Sequence, residues 1–390
     1  MTANWRGIWA VFCGGLVAGA YMTKVPPALP ELRAELELSL VEATFIVTTF
    51  NVLGMLVGVL AGVLSDRYGR RRLALGGLVL LAAGGAMGAL AHDFALLLAS
   101  RFVEGVGFIL FAVPAPALMS ALSRDARERA KALSLWSAYM PTGGTLALLA
   151  APVFIATASW RALWLALAAA AVLAAFVLAR TVPAGAVPRV ASLRLVRESL
   201  ARPGNIAMAL LFACYVAQWT SIMVWLPTFL AEHGTSTATA ATATAFMVLV
   251  NAPGNLAGGW LLARGVPRGT LVIGASVIAA LCEIGMLTPL LAGSLRYALV
   301  LVFSACAGVI PASIFAGLPV HAPSSQHIAT GNGMVLQFSN IGQFLGPLAI
   351  AWIASRYGGW EATLWAMLTF AIAGAACGAA LSAIEHRIKR

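Results

Sequence analysis

Lys24, Arg101 and Glu104 stand inside long apolar stretches where an ionised side chain has no water to face. A charge in such surroundings is costly and normally turns toward a partner or a wet cavity. Arg101 and Glu104 are one helical turn apart and can pair. Two readings follow: they neutralise each other and hold their helix in place, or Arg101 contacts an anionic solute while Glu104 exchanges a proton. Lys24 shares a helical face with Tyr21 and precedes Pro26-Pro27. It either points into a polar cavity or snorkels outward to Glu31, Glu35 and Glu37. Glu283, deep in the second half, is a further proton-coupling candidate beside a purely structural role. Tyr215, Gln218 and Trp219 fall on one helical face and offer hydrogen-bonding and aromatic edges to a small organic solute. Asn51, Asn251, Asn255, Gln337 and Asn340 read as hydrogen-bonders between helices.

Enzymatic chemistry finds no such footing. The chain has no H-E-x-x-H pair, no G-x-x-x-x-G-K-[ST] loop and no G-x-S-x-G elbow. His321 and His327 are six residues apart, share no helical face and have no evident carboxylate partner. Cys13, Cys214, Cys282, Cys306 and Cys377 fall in separate stretches. We therefore expect no metal, no cofactor and no enzyme, and without a nucleotide site any uphill work must draw on an ion or solute gradient.

The elements that carry these residues follow from composition. Of 390 residues, 61% are hydrophobic and 10% charged, which a water-exposed surface does not allow. Crossing roughly 30 Å of hydrocarbon takes about 20 helical residues. Twelve runs qualify: 7–29, 42–64, 73–92, 95–118, 132–156, 160–181, 205–230, 239–263, 270–292, 296–318, 333–354 and 360–384. They are too long and too uniformly apolar for a barrel, so the fold class is all-α integral membrane with twelve transmembrane helices. The first run follows Arg6 without a cleavage-site pattern and is read as a span, not a removed signal.

The net charge of +11 invites a nucleic-acid partner, but the arginines and lysines sort by side. With a cytoplasmic N-terminus, 19 of 25 fall in connections on that side and four, Arg33, Arg161, Arg296 and Arg356, on the other. This positive-inside asymmetry puts both termini in the cytoplasm of a plasma membrane, bacterial in our reading, and accounts for the charge without nucleic acid.

Residues 182–204, with Pro183, Pro188 and Pro203 and four arginines, form the longest polar interruption and divide the spans six and six. We expect two pseudo-symmetric six-helix bundles, 1–181 and 205–390, joined by this cytoplasmic linker. The halves resemble each other when residue i is set against about i+196 to i+203. Leu60-Ala61-Gly62 faces Leu256-Ala257-Gly258, Gly69 faces Gly265, Arg72 faces Arg268, and Trp160-Arg161-Ala162 faces Trp360-Glu361-Ala362. Glycines recur four apart at Gly54, Gly58 and Gly62 and at Gly254 and Gly258, a spacing that lets helix backbones approach closely or slide.

Between the second and third runs stands Gly62-Val63-Leu64-Ser65-Asp66-Arg67-Tyr68-Gly69-Arg70-Arg71-Arg72. This resembles the G-x-L-x-D-R-x-G-R-[KR]-[KR] signature of major facilitator superfamily transporters, and Arg101, Gly105 and Gly107 resemble the family's R-x-x-x-G-x-G pattern. The resemblance implies that Asp66 lies against the start of a helix in the other half and that the arginines tie down neighbouring helix ends. Gly62, Asp66, Arg67, Gly69 and Arg70 would then form a conformational gate. The second copy, Gly258 to Arg268, has Leu262 in place of the acid.

In that family helices 1, 4, 7 and 10 line a central cavity. The resemblance thus implies secondary active transport by alternating access. Lys24, Tyr21, Arg101, Tyr215, Gln218 and Trp219 would contact a small solute, organic or inorganic and anionic, and Glu104 or Glu283 would couple it to protons. The working unit is expected to be a monomer in the lipid bilayer. Leu135-Trp136-Ser137-Ala138 and Trp225-Leu226-Pro227 are similar to the cyanate-permease-like anion branch. Tyr139-Met140-Pro141-Thr142-Gly143-Gly144 faintly resembles the antiporter motif of drug exporters, so proton-coupled export of lipophilic compounds is the alternative, and a transporter-derived receptor a minor one.

Overall fold

A computed structural model of the chain describes residues 4–38, 40–184, 193–289, 291–324 and 327–389. The expected linker lies partly outside these residues, at 185–192. Among the described residues, twelve helices are long and apolar enough to cross a membrane: α1 Trp5–Leu29, α2 Phe45–Tyr68, α3 Arg70–Ala89, α4 Phe94–Leu122, α5 Ala126–Thr157 and α6 Trp160–Thr181, then α7 Pro203–Leu230, α8 Thr242–Ala263, α9 Arg268–Leu287, α10 Gly293–His321, α11 Ile328–Tyr357 and α12 Trp360–Ile388. Each coincides with one expected run, and no strand occurs among the described residues. Many side chains turned outward are large and apolar, Leu56, Leu149, Leu173 and Trp365 among them, as lipid-facing surfaces must be.

Local sequence explains the breaks. Pro26 and Pro27 lack amide hydrogens, so α1 breaks at Lys24: one helix is Trp5–Thr23 and the next, Val25–Glu35, continues beyond the apolar span. Asp93 starts α4 by accepting from the Leu96 amide at 2.7 Å, a side-chain cap on an otherwise orphaned donor. The motif expected to be a loop between α2 and α3 is mostly helix. Asp66, Arg67 and Tyr68 extend α2, and Gly69 alone, at φ 98°, makes the turn into α3. Only glycine adopts that conformation without strain. Its counterpart Gly265 has φ 88°.

The chain forms two compact units, residues 1–132 with 139–199 and 322–337, and residues 133–138 with 200–321 and 338–390. In the first, α3 packs along α4 and α6, and α1 along α5. Close approach depends on glycine: a Cβ at Gly77 would sit 2.6 Å from the Gly107 carbonyl oxygen. Trp160, Trp164, Leu163, Leu32, Ile46 and Leu97 form an apolar core at one end. In the second unit α9 packs against α12 and α10, and α7 against α12.

One clamp occurs in both units. Trp160 Nε1 donates to Glu35 Oε2 at 2.6 Å, and Trp360 Nε1 donates to Glu232 Oε2 at 2.6 Å. Glu35 also pairs with Arg161. Burial pushes the Glu35 carboxyl up, but hydrogen bonds from Trp160 and Arg161 and the Arg161 charge outweigh it and hold the group below the ordinary carboxylate range. A carboxylate lowered in the folded state stabilises at neutral pH, and that contribution is lost as pH falls through its lowered value. Because Glu35 is largely exposed, Glu35→Gln should lower stability by about 1 kcal/mol or less at pH 7. The deficit in melting temperature should vanish at a pH that protonates this carboxyl in both states.

Candidate functional site

The three intramembrane charges meet inside the first unit. Lys24, Arg101 and Glu104 are each 0% exposed. Lys24 Nζ donates to Glu104 Oε1 at 2.7 Å, and Arg101 Nη1 donates to Glu104 Oε2. Arg101 also donates through Nε to the Ile46 carbonyl and through Nη1 to the Tyr21 carbonyl, both at 3.2 Å. The Lys24 ammonium lies 4.2 Å from the ring centroids of both Tyr21 and Trp164, and the Arg101 guanidinium 4.6 Å from that of Phe50. These are cation–π distances that partly offset the lost hydration. Lys24 therefore does not snorkel outward; Glu35, one of its expected surface partners, is engaged by Trp160 and Arg161 instead.

Two cations thus share one carboxylate. The Tyr21 hydroxyl and the Trp164 Nε1 beside them are buried and have no hydrogen-bond partner among the described residues. The cluster has more positive charge and more donors than acceptors. Trp164 went unrecognised in the sequence because nothing distinguishes it there from a packing residue. The Lys24–Glu104 pair, 80 residues apart, had no local signal either.

In the second unit the expected α7 trio separates. Tyr215 OH and Asn251 Oδ1 lie 3.4 Å apart, Asn251 Nδ2 donates to the Ser304 carbonyl at 2.8 Å, and Trp219 Nε1 donates to Ser304 Oγ at 3.0 Å. Gln218 turns away, donating to the Met367 carbonyl on α12 at 3.0 Å. Residues three and four apart sit on the same side of a helix, but the angle between them suffices to send each to a different neighbour. All three are buried. Glu283 is fully buried on α9, and both its oxygens lack a partner among the described residues.

The glycine-acid motif is held within the first unit. Asp66 Oδ2 accepts from Thr330 Oγ1 at 2.7 Å, in the first turn of α11, where the helix dipole favours an anion. Arg70 lies 3.7 Å from Asp66 Oδ1. Arg71 donates to the Val182 and Ala179 carbonyls, each at 2.7 Å, and so ties down the end of α6. Arg67 is exposed and stacks on its neighbour Tyr68. A Cβ on Gly62 would lie 2.6 Å from Thr330 Cα. The second copy builds a different cluster: Arg268 pairs with Glu385 and donates to the Ser313 carbonyl, and His321 Nε2 lies 3.0 Å from the same Glu385. His321 therefore has the carboxylate partner that sequence reasoning missed. No group of three or more metal-ligating side chains occurs among the described residues.

The profile of the Major Facilitator Superfamily matches residues 11–336. The chain belongs to the Major Facilitator Superfamily. It is 30% identical over 309 residues to the 3-(3-hydroxy-phenyl)propionate transporter of Escherichia coli (strain K12), covering 76% of this chain and 74% of that one. To the methylenomycin A resistance protein of Bacillus subtilis (strain 168) it is 27% identical over 152 residues, 39% of this chain and 33% of the relative. The chain thus matches about a third of that relative's length. The fold is shared with the human organic anion transporter MFSD10 (TETRAN) at a TM-score of 0.80, with 17% identity over 98% of this chain and 100% of that one. Its twelve apolar helices and this membership make it a multi-pass membrane protein of the superfamily.

Proposed function

We propose that this transporter carries a small organic anion across a bacterial plasma membrane by alternating access of two six-helix bundles, 1–181 and 205–390, with both termini cytoplasmic. The reading rests on one observation: two fully buried cations, Lys24 and Arg101, share the single carboxylate of Glu104. A surplus positive charge in a bilayer interior is held only at high cost, and a carboxylate solute would both neutralise it and accept from the idle Tyr21 hydroxyl and Trp164 indole. Protonation of Glu104 would strengthen that attraction, so solute and proton arrive together. The relative matched over three quarters of both chains is named for an aromatic carboxylate, which favours an organic over an inorganic anion. The cluster is closed to solvent as described, and opening belongs to the transport cycle.

The test is uptake of candidate organic acids by the purified protein in liposomes under an imposed pH gradient. Lys24→Ala or Arg101→Ala should cut the rate by at least tenfold, the loss of about 1.4 kcal/mol of solute binding. Wild-type rates in both would remove the anion reading. A second reading, export of lipophilic drugs, draws on the partial match to the resistance protein. It requires that cells lacking the protein become drug-sensitive.

A further inference from the structure

A cavity of about 450 Å3 opens within the second unit, at the end where α7 runs into α8, α9 into α10 and α11 into α12. By the distribution of basic residues this is the outer face. None of the residues assigned to the solute or to proton coupling lines it. Its walls are aromatic: Trp225, Phe229, Trp360 and Tyr297 surround it. Trp225 and Trp360 hold each other with ring centroids 5.7 Å apart, and Trp225 Nε1 is fixed on the Pro347 carbonyl at 2.9 Å. The indole of Trp360 is spent on Glu232. Tyr297 donates to the Ala243 carbonyl at 2.9 Å, leaving its oxygen free only to accept.

Among the described lining residues Arg296 is the one permanent charge, and no carboxylate lines the cavity. Its Nε donates to the Met286 carbonyl at 2.7 Å, and its guanidinium lies 4.8 Å from the Phe229 ring centroid. These two contacts fix the plane of the head group and use neither terminal nitrogen. A guanidinium held this way offers two parallel donors, the geometry that binds a carboxylate bidentately. The volume falls in the range of about 300–1,000 Å3 typical of small-molecule sites and suits a single ring with a short acidic tail better than a lipid.

We propose that this cavity is a second, outer binding site for an aromatic carboxylate, with Arg296 gripping the acid and Trp225, Phe229 and Trp360 enclosing the ring. It shares with the proposed function only the class of solute. The probe is 3-phenylpropionate, titrated calorimetrically into the full-length protein in detergent, with the uncharged 3-phenylpropanamide as its match. The acid should bind more tightly than the amide. Arg296→Gln should weaken the acid by about tenfold or more and leave the amide unchanged, whereas Ala243→Trp, which fills the cavity, should abolish binding of both. Unaltered melting temperatures show that the variants fold. Repeating the titration in Lys24→Ala separates the two sites. Binding that survives Lys24→Ala but fails in Arg296→Gln belongs to the outer cavity, whatever becomes of transport. Equal affinity for acid and amide, indifference to Arg296→Gln, or binding lost only in Lys24→Ala would each overturn the assignment. So would native mass spectrometry finding a phospholipid that is displaced by Ala243→Trp but not by 3-phenylpropionate.

Discussion

Glu104→Ala should destabilise the protein by about 3–5 kcal/mol, the usual result of removing one partner from a buried ion pair. The mechanism is desolvation without compensation. Lys24 and Arg101 are both fully buried and both donate to this carboxylate, so the substitution leaves two cations facing each other with no anion between them. Lys24→Met is the instructive contrast. It leaves a neutral Arg101–Glu104 pair and replaces the ammonium with an apolar group of similar length between the Tyr21 and Trp164 rings. Exchanging a buried ion for a hydrophobe is often neutral or stabilising, so its melting temperature should equal or exceed that of the unaltered protein even though transport is lost. Adding Lys24→Met to Glu104→Ala should recover part of the deficit, because one stranded cation remains in place of two. Melting temperatures of the purified single and double variants in the same detergent decide the matter. A Glu104→Ala protein as stable as its parent would mean that the carboxylate does not hold this cluster together.

That cluster also marks the limit of what the amino-acid sequence reveals. Features encoded within one helical turn were legible. The Arg101–Glu104 pair follows from a spacing of three, and the twelve spans from uninterrupted apolar length. The run from Gly62 to Arg72 was legible because acid, glycines and arginines stand together in one stretch. Contacts that depend on how one helix is rotated against another were not. Lys24, at the junction within α1, meets Glu104 on α4 across 80 residues of sequence. Helical spacing groups Gln218 with Tyr215 and Trp219, yet α12 claims it through the Met367 carbonyl. The paired clamps of Trp160 on Glu35 and Trp360 on Glu232 were half visible. The tryptophans align in the repeat register, but their acids lie more than a hundred residues away. Thr330 carried no signal at all, since a threonine becomes a partner of Asp66 only by standing opposite it.

The interlock around Thr330 carries the second large effect. Gly62→Val should reduce transport by at least tenfold, equivalent to about 1.4 kcal/mol or more, while leaving the helices intact. A Cβ at this position would stand 2.6 Å from Thr330 Cα and 2.7 Å from the Ala329 carbonyl oxygen, and one at Gly58 would stand 2.6 Å from the Gly333 carbonyl oxygen. Main chain on both sides cannot yield as a flexible side chain would, so α2 must move away from α11. That separation takes Asp66 beyond hydrogen-bonding distance of Thr330 Oγ1, now 2.7 Å away. Gly76→Ala is the control, because nothing lies within 4 Å of the position a Cβ would take there. It should keep full transport and gain about 0.5–1 kcal/mol from the stiffer helix. The displacement itself can be read by labelling. In a background where Cys13, Cys214, Cys282, Cys306 and Cys377 are replaced, a cysteine at the fully buried Ala329 should react slowly with a membrane-impermeant maleimide supplied from the side of the Gly69 turn. The same cysteine should react several-fold faster once Gly62→Val is added. If Gly62→Val labels and transports like its parent, the close approach of α2 to α11 is packing alone, and the motif from Gly62 to Arg70 must act through Arg71 and the end of α6. If labelling rises and transport falls together, the glycines are there because a gate that closes on bare backbone can form and break without repacking side chains.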